Sequence, residues 1–161
     1  MITKSAGALL LLLGSGLVCV ERIRRNRRQI ALLHDLAAAL ESIEAAIRWQ
    51  KLTLPCAIER QCNRELSGAF FQSVIVRLKE EETLHASWSE VFSAIEPPIG
   101  AELLSRMELS GDEVRITGEL HLTAQQLRQE AEKSAARRAE SEKLSVAVCV
   151  SAAGLITILL L

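Results

Sequence analysis

Two uncharged apolar runs lie near the ends of the chain. Residues 6–20 read AGALLLLLGSGLVCV and residues 144–161 read LSVAVCVSAAGLITILLL. With Met1 to Ser5 the first run comes to about 20 residues, and the second covers roughly 27 Å of helix, so each is long enough to cross a bilayer core. The pattern predicts an N-terminal transmembrane helix over 1–20 and a C-terminal one over 144–161. The first run is not read as a cleaved signal. Its only basic residue on the outer side is Lys4, no A-x-A site follows, and a dense basic cluster comes next: Arg22, Arg24, Arg25, Arg27 and Arg28. Gly16-Leu17-Val18-Cys19 is also a poor lipoprotein box. On the inner flank of the second run stand Arg137, Arg138 and Lys143. By the positive-inside rule both flanks face the cytoplasm, so the expected topology puts both termini outside and residues 21–143 in the cytoplasm.

The middle reads as helices. From Arg22 to Gln50 there is no Gly or Pro, and Ile30, Leu33, Leu36, Leu40, Ile43 and Ile47 recur at steps of three and four. This is an amphipathic helix continuing out of the membrane. Thr53 and Pro55 suit the start of a second helix over 54–66, carrying Ile58, Cys62 and Leu66. Ser67-Gly68 is read as its breaker, with a third helix over 69–82 burying Phe71, Val74, Ile75 and Leu78. Thr83 caps a fourth helix whose core residues are Leu84, Trp88, Val91, Phe92 and Ile95, stopped by Pro97-Pro98. A fifth helix over 99–109 presents Leu103, Leu104 and Met107. Asp112 caps the last helix, whose stripe is Ile116, Leu120, Ala124, Leu127, Ala131, Ala135 and Ala139. The narrowing of that stripe to Ala predicts close packing of this stem against the arginine-rich start of the first helix.

Composition sharpens the picture. Aromatics make up 3% of the chain, so the core must come from Leu, Ile, Val and Ala, which suits packed helices better than a sheet. A net charge of −1 speaks against a globally basic nucleic-acid binder, and no nucleic-acid partner is expected. The arginine cluster, beside a membrane run, fits orientation and contact with anionic lipid better. The four cysteines show neither CxxC nor His/Cys ligand spacing and read as unbridged thiols, consistent with a reducing compartment. No metal or cofactor is implied.

Nothing points to catalysis. There is no P-loop, HExxH or GxSxG, and His34, His85 and His121 fall on different predicted helices. The predicted spans hold no ionisable residue beyond Lys4 near the first one's start, which speaks against ion transport. Gly14 and Gly16, with Ala152, Ala153 and Gly154, offer close helix packing, within one chain or between copies of a homo-oligomer. The chain is not expected to be an enzyme.

Several stretches resemble, in order, those of the stage III sporulation protein AB family. Lys51-Leu52-Thr53-Leu54-Pro55-Cys56-Ala57-Ile58 is like the family's TPLPEAL element. A Phe70-Phe71 helix follows, then Glu80-Glu81-Glu82-Thr83-Leu84-His85-Ala86-Ser87-Trp88, like a G-x-S-x-x-E-A-W segment. Leu109-Ser110-Gly111-Asp112 is like an L-G-x-x-D turn, and the chain closes on a similar apolar tail. The resemblance implies an all-α bundle of about six helices, similar to the cytoplasmic domain of the type II secretion platform protein F. It implies a place in the mother-cell membrane around the forespore, in the channel complex joining the two cells, beside a secretion-type ATPase. The expected function is a platform coupling that ATPase to membrane parts and other channel subunits during endospore formation. The alternative is a membrane-tethered regulatory or division-type adaptor that uses the last helix as a coiled coil.

Overall fold

The computed structural model describes the backbone of residues 2–80 and 83–160, and the side chains of 20–21, 23–80 and 83–138. Among the described residues the fold is all-α, with six helices and no strand: α1 Ile2–Gln50, α2 Leu54–Glu59, α3 Gly68–Lys79, α4 Leu84–Ser93, α5 Pro98–Ser105 and α6 Glu113–Leu160. Among those residues no helix is long and apolar enough to cross a membrane. The two runs expected to do so, 1–20 and 144–161, lie almost wholly outside the described side chains.

The two long helices pack antiparallel. Cross-links fix the direction: Lys51 pairs with Glu113, Glu44 meets His121, Glu41 pairs with Arg128, and Arg138 reaches the Ile23 carbonyl. As numbers fall along α1 they rise along α6. The four short helices cover the apolar side of this pair, with α2 on α1, α5 on α6, and α3 and α4 between them. The core is where the periodic stripes meet. From α1 come Leu33, Leu36, Leu40, Ile43 and Ile47, and from α6 come Leu120, Ala124, Leu127 and Ala131, all buried. Ala135 is exposed, so the buried stripe of α6 stops at Ala131, and Ala139 lies outside the described side chains. Towards the apolar ends the contact is made instead by a long side chain: the Arg138 guanidinium donates to the Ile23 carbonyl at 2.8 Å.

Two expected caps are present. The Thr83 hydroxyl accepts from the Ala86 amide at 3.4 Å, and the Asp112 carboxylate accepts from the Arg115 amide at 3.0 Å. Each satisfies one of the amides a helix start leaves unpaired. Helix α1 ends differently, with Lys51 at φ 53° and the Leu52 amide bonded back to the Ala46 carbonyl. This is a left-handed helix closure, which also folds Leu52 onto the core.

The second helix is shorter than its sequence predicts. It ends at Glu59, and the chain turns through 60–67 on bonds of the i to i+3 type, such as Gln61 amide to Ile58 carbonyl at 2.9 Å. Gly68 does not break a helix but begins the next one. A β-carbon there would sit 2.4 Å from the Cys62 carbonyl oxygen, so only glycine allows the turn to fold this tightly against α3. Helix α3 stops at Lys79, and α5 at Ser105, so Met107 and Leu109 are buried from the following loop rather than from a helix.

The aromatic cluster fills the space between the short helices. Trp88 and Phe92 of α4 stand 4.3 Å apart by ring centroid, and Phe71 of α3 packs 6.0 Å from Trp88 and 5.6 Å from Phe92. Phe71, Trp88 and Phe92 are fully buried, as expected. Leu84 and Val91 are only partly buried and flank the core rather than form it. Leu84 is the first residue of α4, and Val91 lies a quarter turn off the Trp88–Phe92 line, so neither points straight at α3. The indole nitrogen of Trp88 donates to the Leu104 carbonyl at 2.9 Å, in the last turn of α5, where carbonyls lack their full helical partners. The polar edge of an otherwise apolar side chain thus ties α4 to α5.

Candidate functional site

Chemistry-bearing side chains gather in three places. The first is a polar node under the α2–α3 turn. Asp35, in the second half of α1, accepts from Arg64 Nε at 3.0 Å, from the Ser67 amide at 3.0 Å and from the Ser67 hydroxyl at 2.6 Å. Burial pulls the Asp35 carboxyl up. The Arg64 and Ser67 hydrogen bonds together outweigh burial and hold it below its ordinary value. The node acts as a clamp, pinning the start of α3 to α1. Sequence reasoning missed it, because Asp35 and Ser67 lie on separate elements and neither stands in a motif.

The second place is Glu44, nearly buried on α1. It accepts from Arg48 at 3.2 Å and meets His121 Nδ1 at 3.1 Å, while Gln125 meets the other ring nitrogen at 3.0 Å. The group bridges α1 and α6. His34 and His85 are exposed on α1 and α4, far along the chain from this bridge. Among the described residues no cluster of three or more His, Cys, Asp or Glu is placed to hold a metal ion. Cys56 and Cys62 are free thiols. Burial, with the nearby Glu59 charge, pushes the Cys62 thiol up, away from the reactive thiolate form.

The third place is the end of the long pair where the apolar runs begin. Arg24, Arg27 and Arg28 are exposed on α1, and Arg137 is exposed on α6. Arg25 is engaged: it pairs with Glu96 at 2.6 Å, and Gln29 donates to the same carboxylate at 3.3 Å. The Arg25 hydrogen bond and charge hold the Glu96 carboxyl below its ordinary value. The bond of Arg138 to Ile23 brings the two arginine-bearing flanks to one level. The side chains of Arg22 and Lys143 lie outside the described residues.

Charge pairing differs between this end and the rest of the bundle. Elsewhere Arg48, Lys51, Arg64, Arg77, Arg106, Arg115, Arg128 and Lys133 each pair with a carboxylate. Arg60 bonds to Gln50 instead, and among the described residues no ion pair involves Lys79. Among the described residues no ion pair involves Arg24, Arg27, Arg28 or Arg137.

The family model for stage III sporulation protein AB matches residues 4–161. The chain belongs to the stage III sporulation protein AB family. No curated protein and no solved structure matches it. Membership implies a role in sporulation, and the match runs through both arginine-bearing flanks and the whole bundle.

Proposed function

We propose that this member of the stage III sporulation protein AB family is a non-enzymatic membrane platform of a channel between mother cell and forespore. Two spans, 1–20 and 144–161, anchor it in the mother-cell membrane. The bundle over 21–143 lies in the cytoplasm, in the manner of a type II secretion F domain, and couples a secretion-type ATPase to the other channel subunits. One observation supports this most: the antiparallel pairing of α1 with α6 brings both apolar runs to the same end of one bundle, each flanked by arginine. That layout fits a scaffold standing on a membrane by two legs.

The structure weighs on the coiled-coil alternative. The α6 stripe that motivates it is buried against α1 and the short helices, Leu120 and Leu127 completely, and is not offered to a second chain.

The test is topology, then binding. The native cysteines are replaced, Glu80→Cys is introduced just past the end of α3, the chain is produced in vegetative cells so that it inserts into the cell-surface membrane, and a membrane-impermeant thiol reagent is applied to intact and permeabilised cells. Labelling only after permeabilisation is expected. Labelling in intact cells places the bundle outside and overturns the reading. With the cytoplasmic placement established, full-length protein in membranes should retain the ATPase, and failure to retain it removes the coupling role.

A further inference from the structure

We propose that Arg24, Arg27, Arg28 and Arg137 form a collar that binds the headgroups of anionic phospholipids. The proposal rests on the membrane-platform reading above and deepens it by naming a ligand for one surface.

Three observations carry it. First, Arg24, Arg27 and Arg28 stand at i, i+3 and i+4, within one arc of α1. Arg25, on the adjoining arc, is the one that turns to the bundle and takes Glu96. The other three lie off the arc that meets Glu96, and all are exposed. Like charges at that spacing repel, so the free chain carries an unfavourable interaction that a bound anion removes. Glu21 is exposed one turn away but forms no ion pair with them. Second, the chain carries a net charge of −1, and among the described residues eight cations elsewhere pair with a carboxylate, Arg60 and Lys79 being exceptions, whereas no ion pair involves these four. General basicity cannot account for a cluster placed at one end. Third, Arg138 clasps Ile23, so Arg137 joins the α1 cluster at one level, where both apolar runs begin. Bilayer headgroups would lie at that level.

The chemistry fits. A guanidinium presents a planar fork of donors that matches phosphate oxygens two at a time. A headgroup phosphate with no compensating cation supplies net attraction, which zwitterionic phosphatidylcholine does not. Membrane attraction of basic residues beside a span corresponds to about fivefold in affinity for each cation. Four such residues give a strong preference even after screening by salt.

The experiment uses the full chain and the variant R24Q/R27Q/R28Q/R137Q. Both are reconstituted into phosphatidylcholine vesicles, then extracted in detergent and offered an equal mixture of phosphatidylglycerol and phosphatidylcholine. Retained lipid is counted by native mass spectrometry. The native chain is expected to insert into phosphatidylcholine and to retain phosphatidylglycerol preferentially. The variant should insert equally, melt at the same temperature by circular dichroism, and lose at least tenfold of that preference. Replacement of the same four by Lys should keep most of it, and Arg106→Gln, which breaks a pair on α5, should change nothing. Insertion with no headgroup preference, or a preference equal in the Gln variant, overturns the collar and leaves the platform reading standing. Failure to insert into phosphatidylcholine at all overturns both. Binding of duplex DNA through these arginines, with no lipid preference, would make the surface a nucleic-acid contact and end the proposal.

Discussion

Trp88→Ala tests the core where three helices depend on one side chain. Trp88 is completely buried, lies against Phe92 at 4.3 Å and Phe71 at 6.0 Å, and donates its indole proton to Leu104 at 2.9 Å. Removal of a buried Trp costs about 3–5 kcal/mol through lost burial and the cavity left behind. The aromatic pairings add to the upper part of that range, at about 0.5–1.5 kcal/mol each. The hydrogen bond can be separated from the packing with Trp88→Phe, which keeps most of the ring contact. The Leu104 carbonyl also receives the Met107 amide at 3.3 Å, so it is not orphaned, and the loss from that bond should stay near 1 kcal/mol. The full chain in detergent is titrated with urea and followed by far-UV circular dichroism. In Trp49→Phe protein, whose substitution falls on a side chain 78% exposed, fluorescence reports Trp88 alone. The expected order of stability is native, then Trp88→Phe, then Trp88→Ala. A loss under about 1 kcal/mol for Trp88→Ala would refute the assignment of Trp88 as the hub of the short helices.

Four further outcomes follow from single sites. Gly68→Ala should destabilise by about 1–3 kcal/mol or more, because the new methyl meets the Cys62 carbonyl, which is backbone. Gly100→Ala should be near neutral in the same urea titration, because its neighbour at 2.9 Å is the tip of the Leu33 side chain and the helix gains propensity. Asp35→Asn should cost about 1–3 kcal/mol at neutral pH, since Arg64 and Ser67 lose a charged acceptor. The carboxyl is held below its unfolded value of about 3.9, so its contribution is complete above that pH and disappears as pH falls through the lower folded value. The gap between native and Asp35→Asn midpoints should therefore close below about pH 4, and a gap constant with pH would contradict the node. Asp112→Ala removes the cap of α6 and should lower stability by about 1 kcal/mol in the same urea titration, and an unchanged midpoint would contradict the capping role.

The elements that the sequence made legible are those whose signal is local. The stripes of α1 and α6 show a helical period over several turns, and Thr83 and Asp112 sit just ahead of such stripes, where a short polar side chain caps. The end of α2 was not legible. Cys62 and Leu66 continue the period of Ile58, whereas contacts from α1, Asp35 to Arg64 and Ser67 and Ser42 to Gln61, hold the chain in an early turn that Gly68 makes room for. A tertiary contact overrides the propensity there. The same holds at the arginine flank. The cluster is visible in the sequence, but which arginines are occupied is not, because Glu96 reaches Arg25 from 71 positions away. Leu84 and Val91 read as core from spacing alone, and they prove peripheral because the short helices cover only part of α4.

The ion pairs between α1 and α6 add to a register that core packing already favours. Exposed pairs such as Glu41–Arg128 and Lys51–Glu113 contribute about 0–1 kcal/mol each, so burial holds the two helices together. Burial also fixes the register. The α6 stripe repeats mostly at steps of four, so sliding the helix by about one turn replaces Leu120 by Ala124 and Leu127 by Ala131, which keeps an apolar face but leaves a cavity costing about 2–5 kcal/mol for each buried Leu. The charges discriminate in the same sense. A slide in one direction sets Glu41 opposite Glu132 and Glu44 opposite Gln125. In the other direction the partners become Ala124 and Thr117, and Lys51 runs past the start of α6. Either slip also separates Arg138 from Ile23 and would stagger the two arginine flanks by roughly 5 Å along the axis. Core packing and the ion pairs along the bundle together keep Arg137 level with Arg24, Arg27 and Arg28.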